Sequence, residues 1–349
     1  MALTNAAIAE LLALEAEKHT GNKERAARRG ARAALMWPDE LAETLARGGT
    51  LEDLRAVGPW ISGLIESWIA DPPELVAPPD IRRDFRSFAS ARARLAAAPA
   101  EKSELRGDLQ MHSLYSDGTC TIAEMAEHCI GLGYSYLAIT DHSQGLKIAG
   151  GMDEDALARQ ADEVRALNEE LEGRFEVLHS LEMNLSPAGE GDMEPSALAG
   201  LDLVLGSFHS QLRTKDDQTD RYLAALANPD IQVLGHPRGR QWNFRLGLTA
   251  DWPRVFAAAH AADKAVEIDA HPNRQDLNVE LLQIARDAGT RISIGTDAHY
   301  PFELLFIDLG LAAALEAGIP RDRILNLMPA DELKRWAGDV RARARVAGA

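Results

Sequence analysis

The sequence predicts an α/β protein: a parallel barrel of seven β/α repeats preceded by a small all-helical domain. From residue 105 onward, short apolar runs rich in β-branched residues alternate with helix-length amphipathic segments. The runs are continuously apolar, as strands covered by helices are. Each run leads into histidine, aspartate or glutamate, a layout that fits a closed or nearly closed barrel with its site at the strand C-termini. An open doubly wound sheet is the alternative, but it would not feed every strand end into one site.

The helical part comes first. Apolar residues recur at helix spacing through Ile8, Leu11, Leu12 and Leu14. Lys23 to Arg32 (K-E-R-A-A-R-R-G-A-R) follows as a basic helix with alanines on its inner face. It reads either as a solvated face or as a phosphate-contacting patch. Thr50-Leu51-Glu52-Asp53 has the N-cap and third-position acid that open a helix. Leu54 to Ile61 leads into a second helix through Ile65 and Trp68. Two short helices joined by a tight turn can aim backbone N–H groups at a phosphate; a hairpin used only for packing is the plain alternative. Pro72-Pro73 and Pro78-Pro79 bracket a loop, and an Arg/Ala-rich helix follows. The expected organisation is a helical domain over 1–72, a linker and helix over 73–104, and the barrel over 105–349.

The barrel repeats follow in order. The first strand lies around Leu105, Leu109 and Met111 and runs into the stretch Gly107–Gly118, G-D-L-Q-M-H-S-L-Y-S-D-G. Tyr136–Thr140 ends in Asp141-His142, Phe175–Leu178 leads to Glu182, and Leu203–Gly206 leads to His209. Ile231–Leu234 ends in Gly235-His236, Ala265–Ile268 in Asp269-Ala270-His271, and Arg291–Ile294 in Gly295-Thr296-Asp297-Ala298-His299. Helices are expected over Thr121–Leu132, Asp153–Leu171, Trp252–Ala262 and Leu277–Ala288.

Composition bounds the function. The chain of 349 residues has a net charge of −17, which argues against coating nucleic acid by phosphate neutralisation and suits a cluster of acidic metal ligands. Residues 1–100 hold 13 Lys+Arg against 14 Asp+Glu, so the acidity lies in the remainder. No apolar run reaches the roughly 18 residues of a membrane span. The N-terminus lacks the basic-then-apolar pattern of a signal peptide and carries Glu10, Glu15 and Glu17, so a cytoplasmic protein is expected. Cys120 and Cys129 form no C-x-x-C pair and read as small hydrophobes.

Seven of the ten histidines (112, 142, 179, 209, 236, 271 and 299) fall at or just after strand ends, while His19, His128 and His260 lie in helical stretches. With Asp117, Glu182 and Asp297 they form a set large enough for more than one metal ion. Mixed nitrogen and oxygen ligation suits zinc, manganese or iron. His179 is three residues before Glu182, so on one strand the two face opposite sides, and His179 reads as structural. His271, before Pro272, is expected to line the pocket mouth without binding metal.

The motifs Asp108-Leu109-Gln110-Met111-His112-Ser113, Ser116-Asp117-Gly118, Thr140-Asp141-His142-Ser143, Gly235-His236-Pro237 and Gly295-Thr296-Asp297-Ala298-His299 resemble those of the PHP (polymerase and histidinol phosphatase) superfamily. The resemblance spans roughly residues 105–335. Gly235 to Arg240 and Glu267 to Leu277 are similar to the PHP domain of bacterial family X DNA polymerases. The N-terminal part resembles their helix-hairpin-helix region, with Ala56 where the hairpin usually has its first glycine. Pro73 to Lys102 is too short for a nucleotidyltransferase domain, and no Gly-Ser turn with paired aspartates follows, so polymerase activity is not expected.

The resemblance implies a distorted (β/α)7 barrel holding two to three divalent ions. It places His112, Glu182 and Asp297 on the first, Glu182, His209 and His236 on the second, and Asp117, His142 and His299 on the third. Gln110 stands where the family commonly has histidine. It is either an amide ligand favouring a harder ion such as manganese, or a hydrogen bonder behind the ligands. Ions so bridged lower the pKa of a shared water toward about 7, giving a nucleophile for phosphorus. Arg238 is a candidate phosphate clamp, with Arg240, Arg274 and Lys215 behind it. Asp141 is a candidate to orient an imidazole. Three functions follow: a phosphodiesterase or 3′–5′ exonuclease on DNA ends with the N-terminal domain as DNA anchor, a phosphatase for a small phosphomonoester of the histidinol-phosphate kind, or a non-catalytic module with a decayed site. No membrane partner is expected, and the oligomeric state is left open.

Overall fold

The computed structural model describes residues 3–347; the ends of the two expected domains, residues 1–2 and 348–349, lie outside them. The chain divides into two compact units. The first runs to Pro99 and also takes in Gln241–Leu246, and the second holds Ala100–Arg240 and the residues from Gly247 onward. The boundary thus falls at Pro99, so the Arg/Ala-rich helix, Phe88–Ala96, belongs with the first unit rather than with a separate linker. No helix of the described residues is long and apolar enough to cross a membrane.

In the first unit, Ile8, Leu12, Ala31, Leu35, Leu41, Ile61 and Ile65 share one core with Trp37 and Trp242. The basic helix Asn22–Met36 buries Ala27, Ala31 and Ala34 and leaves Arg25, Arg28, Arg29 and Arg32 exposed. Thr50 and Asp53 form the expected capping box, but the helix it opens is only one turn, Leu51–Asp53. The chain then turns through Ala56, at φ 66, into the helix Pro59–Ala70. A left-handed alanine costs roughly 1–2 kcal/mol, so the hairpin keeps a glycine's backbone with an alanine in place. The Trp37 indole donates to the carbonyl of Arg55 at 3.1 Å and holds that turn. Arg82 is buried, donating to Glu10 (2.9 Å), Glu17 (2.8 Å) and Asn243 (2.9 Å).

The second unit holds seven parallel strands in sequential order: β1 (Gly107–Asp108), β2 (Tyr136–Ile139), β3 (Glu176–Asn184), β4 (Leu203–Ser207), β5 (Val233–Gly235), β6 (Ala265–Asp269) and β7 (Arg291–Gly295). Helices Ile122–Gly131, Glu154–Leu171, Trp252–Ala261 and Val279–Asp287 fall where the periodicity places them. Beyond their regular ends, β1 and β7 meet: Asp297 N–H donates to the Gln110 carbonyl (3.0 Å) and His112 N–H to the Ala298 carbonyl (2.9 Å). Asp108 pins the seam, accepting from the Thr296 N–H (3.1 Å) and hydroxyl (2.5 Å). The sheet thereby curls into a nearly closed barrel.

The barrel interior changes character along the strands. Tyr136, Ala138, Leu178, Leu203, Leu205, Val233 and Ala265 form one apolar core with Leu333, Trp336, Ala337 and Val340 of the helix Ala330–Ala347. Two residues further along from Ala138, Leu178, Leu205 and Ala265 the same face turns polar, at Thr140, Ser180, Ser207 and Glu267, because every second side chain shares a face. The opposite faces, at Leu137, Ile139 and Val177, pack on Ile122, Met125 and Val164 of the covering helices.

Candidate metal centre

Glu182, fully buried near the end of β3, is the hub. Its Oε1 lies 2.7 Å from His236 Nε2 and 3.3 Å from His209 Nε2. Its Oε2 lies 3.0 Å from His142 Nδ1 and 3.6 Å from His112 Nε2. Asp297 Oδ1 meets the same His112 nitrogen at 3.0 Å. On the outer side, Asp117 Oδ1 lies 3.2 Å from His299 Nε2 and 3.5 Å from His142 Nε2. The His112 ring stacks between those of His142 and His299, each centroid 4.4 Å away.

Five imidazoles and three carboxylates from six strand ends thus converge. Three groupings have donor atoms close enough to share an ion: His112, Glu182 and Asp297; His142, Glu182 and His209; and His112, Asp117, His142 and His299. The first is the trio that the resemblance implies. The other two differ in that His142 joins Glu182 and His209, while His112 joins the outer cluster. His236 reaches the centre through Glu182. Asp297 (φ 53) and His236 (φ 22) have left-handed backbones without being glycine, a strain that concentrates at functional sites.

The electrostatics suit a cation. Burial alone would raise the carboxyls of Glu182 and Asp297. Instead, His142 and His209 hold Glu182 well below the usual range, and Arg274 with His112 does so for Asp297. Burial opposes charge on His299, yet Asp117 and Asp297 push its imidazole up to about 10. Against the same penalty, Glu182 also raises His142 and His236. His209 is lowered by burial. Protons are drawn to these rings by the field that would draw a divalent ion. The buried Nδ1 atoms of His112 and His236 have no hydrogen-bond partner. Such a donor set, mixed nitrogen and oxygen with converging lone pairs, fits divalent metal ions.

The remaining predicted residues stand elsewhere. Gln110 is fully buried, and its amide faces Glu267; with the nitrogen assigned to that side it would donate to Oε1 (2.7 Å) and Oε2 (3.1 Å). Arg238 donates its N–H to Asp276 (2.9 Å) and its side chain toward the Leu248 carbonyl (3.4 Å). Arg240 bonds the Arg274 carbonyl at 2.9 Å, and Lys215 is exposed. Arg274 is the guanidinium inside the cluster, 2.8 Å from Asp297 Oδ2 and 3.4 Å from Asp269 Oδ2. Asp141 accepts from the Ser113 N–H (2.8 Å) and from Gln160 (2.7 Å), fixing the turn after β1. His179 faces away from Glu182 and donates its backbone N–H to Asp202. His271 lies 3.8 Å from Glu303, outside the three groupings.

Sequence reasoning passed over Glu267. It is fully buried, and its Oε2 accepts the His236 N–H at 2.6 Å. Burial, reinforced by Asp269, raises its carboxyl far above the usual range. A Cβ on Gly295 would fall 2.5 Å from both Glu267 Oε1 and Gln110 Cβ, so glycine there makes room for the pair. The signal was present: Glu267 interrupts an apolar strand at the inward-facing register of Ala265 and Asp269.

A family model for the PHP domain matches residues 108–240. The DNA polymerase/3′-5′ exonuclease PolX of Bacillus subtilis is 39% identical over 227 residues, covering 65% of this chain. This chain spans only 40% of that protein's length. A probable phosphatase of Acetivibrio thermocellus is 28% identical over 229 residues, covering 63% of this chain and 90% of that protein. A crystal structure of histidinol phosphate phosphatase from Lactococcus lactis aligns with a TM-score of 0.46 and 17% identity, covering 62% of this chain and 95% of that one. Residues 108–240, which carry six of the eight donors (His112, Asp117, His142, Glu182, His209 and His236), are thus the stretch that matches the PHP domain.

Proposed function

We propose that the barrel hydrolyses phosphoester bonds with two or three divalent ions, zinc, manganese or iron, and that its substrate is the 3′ end of a DNA strand. The convergence of eight donor residues, four of whose imidazoles meet Glu182, carries the hydrolase reading. His112, Glu182 and Asp297 would hold one ion, and His209 with His236 a second through Glu182. Asp117, His142 and His299 would hold a third. Bound there, such ions supply an activated water and cancel charge on phosphoryl oxygens. The chain's own part is to fix the ligands: Glu267 holds the backbone of His236, Arg274 holds Asp297, and Asp141 holds the turn bearing Asp117. The DNA reading is supported by the likeness to the exonuclease-bearing PolX. It is supported also by the exposed arginines of Asn22–Met36 and the hairpin through Ala56, through which the first unit would contact the DNA backbone.

A second reading, phosphatase activity on a small phosphomonoester, is favoured by relatives named probable phosphatases that match over most of their length. One comparison separates the two: release of label from a 3′-labelled single-stranded oligonucleotide with manganese, beside release of phosphate from a simple phosphomonoester. The DNA reading expects the first to dominate and fails if only the monoester is cleaved. Two or three ions per chain and loss of either activity in His236→Ala are expected. Absence of metal in protein purified without chelator would point to a decayed site.

A further inference from the structure

We propose that a row of aromatic rings beside the metal centre stacks the base of the terminal nucleotide while its phosphodiester lies on the ions. The inference deepens the DNA reading above and rests on it. Tyr300 follows His299 directly, and Tyr300 and Phe302 are 48% and 44% exposed. Leu305 on the same turn is 46% exposed. The rings form a series: His271 to Phe306 at 5.7 Å, Phe306 to Phe302 at 6.1 Å, and Phe302 to Tyr300 at 5.9 Å between centroids. The series begins at the loop after β6 and ends in solvent beyond β7, along the rim that carries Asp297 and His299.

The rim is held in register with the ligands. Glu303 accepts both the His299 N–H (2.8 Å) and the Tyr300 N–H (3.1 Å). Pro301 starts the turn Pro301–Phe306 and removes backbone freedom there. Phe302 is braced against buried Phe306. Two half-exposed rings set 35° apart lose little freedom when a planar group settles on them. The centre beside them is acidic, so affinity for a polyanion there falls to the ions and to uncharged contacts. Base–aromatic stacking is such a contact, and it tolerates any base.

The test uses the metal-loaded full chain with manganese and two single-stranded oligonucleotides, one with a normal 3′-terminal nucleotide and one with an abasic terminal sugar. Tyr300→Ala should raise KM on the normal strand roughly tenfold with kcat nearly unchanged. Tyr300→Phe should restore KM, and Tyr300→Ala should have no effect on the abasic strand. If wild-type protein degrades DNA but Tyr300→Ala leaves KM unchanged, or changes it equally on both strands, the stacking site is overturned while the exonuclease reading stands. A patch that contacts another protein predicts that same outcome. If metal-loaded wild-type protein does not cut DNA, both fall together.

Discussion

The Arg274 guanidinium sits 2.8 Å from Asp297 Oδ2, while the other oxygen of that carboxylate lies 3.0 Å from His112. One carboxylate is thus shared between a fixed cation and the place of a removable one. Arg274→Ala should destabilise chelator-treated protein by about 2 kcal/mol, because Asp269 and Asp297 lose a cation in a buried setting; about a third of the Arg274 side chain is exposed (31%), which tempers the effect. Manganese should rescue the variant more than the wild type. Urea unfolding with and without manganese measures both. Equal destabilisation in the two conditions would show that Arg274 and the ion do not share Asp297.

Gln110 gives a second test. Its amide faces Glu267, which also holds the backbone of His236. Gln110→His should therefore leave the metal-to-protein ratio unchanged. It should cost about 1 kcal/mol through a poorer fit beside Gly295. Elemental analysis decides: a gained ion would return residue 110 to the ligands.

His179 predicts a pH effect separate from the metal centre. Burial, with Arg165 adding to it, pushes this imidazole down to about 4. In an unfolded chain histidine titrates near 6.5. Between those values the unfolded state binds more protons, so the contribution is complete above about 6.5 and is lost as pH falls toward 4. His179→Gln lacks this titration. From pH 7 to 4 its stability should gain about 2 kcal/mol relative to wild type, measured by urea unfolding. A constant difference across that range would place the ring in solvent.

The barrel was legible because its two periods are. Apolar runs mark the strands, and a histidine or acid after each marks one end of the sheet. Glu182 and His179 were separable by the strand repeat alone. Arg274 was harder: a guanidinium before a helix looks like any surface cation, and only closure of β6 against β7 brings it to Asp297. Trp242 was hidden for a similar reason, since its neighbours in the first unit's core lie far away in sequence. The one-turn helix at Leu51–Asp53 shows the limit of capping signals, which start a helix without fixing its length.

The seam between β1 and β7 has a consequence for biogenesis. His112 and Asp297 are 185 positions apart and meet only when the last strand docks on the first. During synthesis the chain therefore carries most of its histidines before the two groupings that include His112 can form, whereas His142, Glu182 and His209 need only β2 to β4. On the metal-dependent reading proposed above, filling of the two groupings that include His112 would report completed topology, and a pairing error at the seam would leave those two unfilled.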